Sequence, residues 1–184
     1  MINTLSSIIK EISADKSIKV IIIASTGKIF CSGHNLKEIT TARESSDHGE
    51  NYFKNLFQSC SILMQSIVNC PKPVIAEVDG VATAAGCQLV ASCDLAIASD
   101  SSSFATPGVN LGLFCSTPMV ALSRNVKKKD AMKMLLTGDM IGSIEAKRIS
   151  LINDHVPSKN LSIEVMNLAR KTASKCMQTV KIGN

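Results

Sequence analysis

Asp79-Gly80-Val81-Ala82-Thr83-Ala84-Ala85-Gly86-Cys87-Gln88 follows the apolar run Pro73-Val74-Ile75-Ala76-Glu77-Val78 and opens into a helical pattern through Leu89, Val90 and Ser92. A strand that passes into a helix presents backbone N–H groups at the turn, and small residues there let a ligand or a neighbouring backbone come close. A second stretch of the same design lies upstream: Phe30-Cys31-Ser32-Gly33-His34-Asn35-Leu36-Lys37-Glu38. Glycine before His34 allows a sharp bend, so the His34 N–H can point into a cleft. Two such turns facing each other supply the pair of N–H donors that an enolate or oxyanion requires.

Working outward, Val20-Ile21-Ile22-Ile23-Ala24 is a continuous β-branched run, as expected of a parallel strand covered on both faces. Residues 4–14 carry a helical stripe of Leu5, Ile8, Ile9 and Ile12, and residues 35–43 read as a short helix. Phe53, Leu56, Phe57, Cys60, Leu63, Met64 and Ile67 repeat at helical spacing before Pro71, which predicts a long helix with a core face. Asp94 to Ala98 is a third strand, and Ser103-Phe104-Ala105 a short fourth. Helical patterns return at 118–126, 130–137 and 143–149. Ile152 to Val156 is short and extended, and Leu161 to Cys176 forms a final amphipathic helix. Strand and helix alternate, which argues an α/β fold with parallel pairing in one domain, 1–184.

The 184 residues are 45% hydrophobic but only 3% aromatic, so the core must be built from Ile, Leu, Val, Met and Ala. A net charge of +5 suits an anionic small ligand. Apart from Lys127-Lys128-Lys129, read as a solvated helix start, the basic residues are scattered and not interleaved with aromatics, which argues against nucleic acid. Seven cysteines, none in a C-x-x-C pair, imply reduced thiols in an intracellular protein, and three dispersed histidines give no metal spacing. No apolar run approaches the length of a membrane span, and residues 1–10 have no targeting composition.

The imidazole of His34 would need a hydrogen-bond partner to act as a base, and the sequence names none; a packed or solvent-facing ring is expected. Cys31 and His34 are spaced by three after a strand, which does not assure facing side chains. Lys28 and Lys37 flank the turn, either as exposed residues or as contacts for a phosphate.

Together, the order and spacing of the two motifs resemble the crotonase (enoyl-CoA hydratase/isomerase) superfamily, with signatures F-x-[SA]-G-x-D-[LI] and G-x-A-x-G-G-G. Here they read Phe30 to Leu36, with Asn35 for Asp, and Gly80 to Gly86, with Ala84 and Ala85 for two glycines. The resemblance continues through Cys93-Asp94-Leu95-Ala96-Ile97-Ala98, Phe104 with Pro107, Leu111-Gly112, Leu135-Leu136-Thr137-Gly138, Glu145-Ala146 and Val156-Pro157. It implies a crotonase-like (ClpP/crotonase) spiral of ββα turns acting in fatty-acid metabolism. The core would be about 1–157, with a C-terminal helical region starting at 158–184. The family's N-terminal β-hairpin and C-terminal helical tail are not matched.

By the same resemblance the ligand is an acyl-CoA thioester, with coenzyme A entering as ligand and no separate cofactor or metal. The oxyanion donors fall on the backbone N–H groups of His34 and Ala85. Gly33, Asn35, Leu36, Lys37, Gly86, Pro107, Leu111 and Cys115 fall at substrate-binding positions, and Thr106 and Ser116 lie in lining segments. Family members are trimers or hexamers, and a mitochondrial location is implied. Two family glutamates are replaced, by Gln88 and by Gly108 in Pro107-Gly108-Val109-Asn110-Leu111-Gly112. General acid–base groups contribute about 10²–10⁴-fold each, so hydration and isomerisation of an enoyl thioester should both be very slow. The sequence therefore leaves open a crotonase-like enzyme, a non-catalytic acyl-CoA-binding regulatory pseudoenzyme, and a truncated subunit.

Overall fold

The computed structural model describes residues 1–183. Helix α1 (Ile2–Ala14) precedes β1 (Ile21–Ala24) and β2 (Ile29–Cys31), which lead into α2 (Leu36–Arg43) and α3 (Glu50–Val68). The pattern repeats as β3 (Val74–Val78), β4 (Val81–Thr83) and α4 (Ala85–Ser92). It repeats again as β5 (Leu95–Ser99) and β6 (Ser103–Ala105), followed by a 3₁₀ turn at Pro107–Leu111, α5 (Ser116–Asn125) and α6 (Lys128–Thr137). The chain closes with β7 (Ile141–Gly142), α7 (Ser143–Arg148), β8 (Asp154–Val156), α8 (Ser158–Ala173) and α9 (Met177–Gly183).

Each turn of this spiral contributes one strand to each of two sheets. One sheet has the order β1-β3-β5-β8, all parallel; the other has β2-β4-β6-β7, parallel except for the last pair. The α/β class, the parallel pairing and the crotonase spiral are therefore observed. The second sheet is the main departure from the alternation read in the sequence. Its β2, β4 and β7 are two or three residues long, too short for periodicity to register, and β2 and β4 lie next to the glycine turns that dominate those segments.

The faces of β3 and β5 divide the interior in two. Val74, Ala76, Val78, Ala96 and Ala98 pack toward α1, α3, α4, α5 and α6, while Ile75 and Ile97 face Leu161, Val165 and Ala169 of α8. The α3 stripe needs correction: Cys60, Leu63, Met64 and Ile67 are buried, but Phe53 and Leu56 are half-buried and Phe57 is 48% exposed. The core face covers the second half of that helix. Helix α8 also stops at Ala173, short of Cys176, and the shorter α9 begins at Met177.

Lys72 is 93% removed from solvent, with 7% exposure, and its ammonium donates to the carbonyls of Ile12 and Asp15. A buried cation thus closes the C-terminal end of α1, where free carbonyls carry partial negative charge. None of the helices among the described residues is long and apolar enough to cross a membrane.

Candidate functional site

Strand β4 ends at Thr83, and the chain turns through Ala84 into α4. Ala84 adopts φ 51, ψ −118, a region that disfavours any residue with a Cβ. It is held there from both sides: its N–H donates to the Ala105 carbonyl at 2.9 Å, and its own carbonyl accepts the Gln88 N–H at 3.0 Å. Ala85 is then the first residue of α4 in helical geometry, so the strained position is Ala84. Gly86 admits no side chain, because a Cβ there would lie 1.9 Å from the Cys31 carbonyl oxygen of β2. That close approach pins the helix start onto the second sheet.

The other turn leaves β2 through Ser32 and Gly33, whose φ of 93 is the left-handed geometry that glycine allows. The two turns meet here. A Cβ on Gly33 would stand 3.1 Å from Ala84 Cβ and 3.3 Å from the Ala85 nitrogen. Thr83 Oγ1 ties the pair together by donating to the Ser32 carbonyl at 3.2 Å. Among the described residues, neither the His34 N–H nor the Ala85 N–H has an acceptor within the protein.

The His34 ring is half-buried, with its edge on Phe57 at a centroid distance of 6.0 Å and an interplanar angle of 86°. Burial lowers its pKa below the ordinary value, which favours the neutral imidazole. Phe57 was read from the sequence as core. The width of the α3 stripe at Phe53, Leu56 and Phe57 is the signal that its first half serves another surface. Asn35 caps α2: its side-chain oxygen accepts the Lys37 N–H at 3.0 Å and its amide donates to Glu38 Oε1 at 2.8 Å. Leu36, Lys37 and Lys28 are exposed on the rim.

Gln88 sits one turn into α4, 6% exposed, and its Oε1 has no hydrogen-bond partner. Thr106, fully buried between β6 and the 3₁₀ turn, also has an unpartnered hydroxyl. The turn places Pro107 and Gly108 half-buried and leaves Leu111 62% exposed. Gly108 donates its N–H to Cys115 Sγ at 3.3 Å. Cys115 is half-buried at the N-cap of α5, and Cys87 of α4 is fully buried. Burial pushes the Cys87 thiol up to about 12, and the Cys115 sulfur adds to that rise. The residues singled out in the sequence therefore fall into separate places. Gly33, His34, Ala85 and Gly86 lie at the paired turns, and Cys115 meets Gly108. Asn35, Lys37 and Leu111 serve as a cap or as exposed rim.

Two hollows of the molecule lie away from these turns. One, about 390 Å³, is an open groove between α1 and α3 lined by Ile9, Ser13, Ile62 and Cys70; the other is a small gap between α6 and α7. Among the described residues no cluster of three or more His, Cys, Asp or Glu side chains could hold a metal ion.

The sequence profile of the enoyl-CoA hydratase/isomerase family matches residues 1–182. Over 183 residues the chain is 51% identical to enoyl-CoA hydratase domain-containing protein 3, mitochondrial, from Mus musculus, and equally so to that of Homo sapiens. All of this chain is covered in both alignments, but only 59% of each relative; the chain spans about that share of the curated relatives it matches. Among solved structures, an enoyl-CoA hydratase from Mycobacterium smegmatis superposes with a TM-score of 0.93 at 44% identity, over 100% of this chain and 69% of that one. The human enoyl-CoA hydratase domain-containing protein 3 superposes with a TM-score of 0.91 at 50% identity, over 99% and 70%.

Proposed function

Because the chain belongs to the enoyl-CoA hydratase/isomerase family, we propose that it binds acyl-CoA thioesters at the paired turns, with the His34 and Ala85 N–H groups cradling the thioester carbonyl. The observation that carries this reading is the contact of Gly33 with the Ala85 nitrogen, 3.3 Å from where a Cβ would be. It sets the residue before His34 beside the Ala85 nitrogen, and neither the His34 nor the Ala85 N–H has an acceptor among the described residues, which supports the reading. Preorganised donors of this kind are each worth about 3 kcal/mol to an oxyanion, and they do not depend on which side chains flank them.

The same site is poorly equipped for hydration. Gln88 is a neutral amide that cannot take a proton from water, and position 108 has no side chain at all. The proposed activity is therefore retention of an acyl-CoA of fatty-acid metabolism with hydratase turnover far below that of a two-carboxylate site. A mitochondrial setting is supported by the names of the relatives.

Mass spectrometry of the protein incubated with a mixture of acyl-CoAs tests this by reading retention and conversion together. Retained thioester with little hydration is the expected result. Failure to retain any acyl-CoA, or brisk hydration of an enoyl thioester, would overturn it.

A further inference from the structure

The first half of α3 carries an apolar surface that neither the core nor the proposed carbonyl cradle uses. The whole chain has five phenylalanines, one tyrosine and no tryptophan. Three of these six rings, Tyr52, Phe53 and Phe57, stand in that half-helix, although Phe57 is exposed and the other two are only half-buried. They touch in a row: Tyr52 meets Phe53 edge to face at 5.5 Å, and Phe53 stacks on Phe57 at 6.4 Å with an interplanar angle of 29°. Phe57 then meets the His34 ring at 6.0 Å. The row therefore starts at a residue whose N–H is a proposed carbonyl donor and runs out along α3.

The far end of the row is closed. A Cβ on Gly49 would stand 2.6 Å from Phe53 Cε2 and 3.0 Å from the Ala42 carbonyl oxygen, so Phe53 abuts the backbone that joins α2 to α3. Helix α2 buries none of its own side chains, and Glu38 ties it to α3. The Glu38 carboxylate accepts from the Tyr52 hydroxyl at 3.3 Å and from the Asn35 amide at 2.8 Å. Burial favours the neutral His34 ring, so no charge interrupts the apolar row at its inner end. A short apolar strip that begins beside the ligand's carbonyl and stops two rings later suits the ligand's own tail rather than a macromolecule.

We infer that Phe57, with Phe53 behind it, is the specificity-determining wall for the acyl group, and that it selects medium-length acyl chains over short ones. This rests on the thioester-binding reading above. A carbonyl held by the His34 N–H sends its chain out beside the His34 ring. An acetyl group ends there, whereas an octanoyl chain continues over the Phe57 ring and stops at Phe53. Each methylene taken out of water against these rings is worth about fourfold in affinity. No bond is made or broken, and the selection is a difference in binding alone.

Calorimetry of the full chain with acetyl-CoA, hexanoyl-CoA and octanoyl-CoA tests this. Octanoyl-CoA should bind at least about tenfold more tightly than acetyl-CoA, with hexanoyl-CoA between them. Phe57→Ala should weaken octanoyl-CoA about tenfold and leave acetyl-CoA within about twofold. Phe57→Leu, which keeps an apolar side chain, should recover most of that loss. Because Phe57 is exposed, both variants should keep the urea midpoint of the parent, so a split between the ligands is not a folding effect. Affinities blind to chain length, or a Phe57→Ala loss shared equally by acetyl-CoA, overturn the inference and leave the binding site standing. So does a dimer that sedimentation shows to dissociate in Phe57→Ala, since a second copy then covers the rings. Failure of all three thioesters to bind removes the binding site, and the wall with it.

Discussion

The Cys31 carbonyl oxygen occupies the space of a side chain at Gly86, 1.9 Å from where its Cβ would be. The contact is backbone against backbone, so nothing flexible can give way. Gly86→Ala should cost about 3 kcal/mol or more in urea unfolding and should abolish ligand retention. An alanine variant with the stability of the parent would show that α4 does not rest on β2 as described.

Ala84 gives a prediction of opposite sign. At φ 51, ψ −118 its Cβ is strained, and glycine removes the strain at the cost of a more flexible unfolded chain. Ala84→Gly should raise stability by about 1 kcal/mol, measured as a shift in the urea midpoint at constant m-value. A loss of stability would contradict the backbone conformation.

Carboxylates introduced at positions 88 and 108 should not create a hydratase. Gln88→Glu places an acid in a buried spot where the present Oε1 meets no donor, so burial raises its pKa above the unfolded value of about 4.3. A raised carboxyl pKa makes the acid a stabilising proton carrier only at low pH. The variant should match the parent below about pH 4 and fall behind by about 1.4 kcal/mol per pH unit above it, until the folded-state pKa is passed. Adding Gly108→Glu forces the Cys115 sulfur and the Leu113 carbonyl apart, and the double variant should hydrate crotonyl-CoA no faster than the parent. A pH-independent stability difference, or hydration appearing in the double variant, would refute this account.

The start of α3 should be acid-labile. Asp47 accepts from the Ser45 hydroxyl and from the Asn51 and Gly49 N–H groups, which together hold its carboxyl down at about 2. A depressed carboxylate contributes stability above its unfolded pKa of about 3.9 and loses it as pH falls toward 2. Amide exchange at residues 49–53 should accelerate across that window, and Asp47→Asn should flatten the response. Unchanged exchange between pH 4 and pH 2 would exclude the role.

Lys72 supplies a test remote from the site. Lys72→Met keeps the buried stem but strips the charge from the Ile12 and Asp15 carbonyls, which should cost about 2 kcal/mol. Acyl-CoA retention should survive at temperatures below the new midpoint. A variant as stable as the parent would mean that water replaces the ammonium without penalty.

Much of this was legible in the chain. The β-branched run at Val20–Ala24, the long stripe ending before Pro71 and the two glycine turns placed β1, α3 and both helix entries, because each rests on local pattern. In the second sheet only β6 was legible from pattern; β2, β4 and β7 are too short to carry periodicity and adjoin glycine turns, and their pairing is long-range. Asn35 as a cap was readable from its place before a helix, but Phe57 beneath the His34 ring was not, since exposure of half a helix depends on where the sheet stops. The Gly108 N–H meeting the Cys115 sulfur joins the 3₁₀ turn to the start of α5, which no spacing rule reports.

Helix α8 lies on the face of β3 and β5 opposite the turns, with Leu161, Val165 and Ala169 packed on Ile75 and Ile97. The parallel sheet therefore acts as a partition between two hydrophobic compartments, only one of which touches the paired turns. Sequence change within the α8 compartment can proceed by compensating swaps of volume across β3 and β5. Such drift leaves the opposite side untouched as long as the strand register between Ile75 and Leu95 is kept.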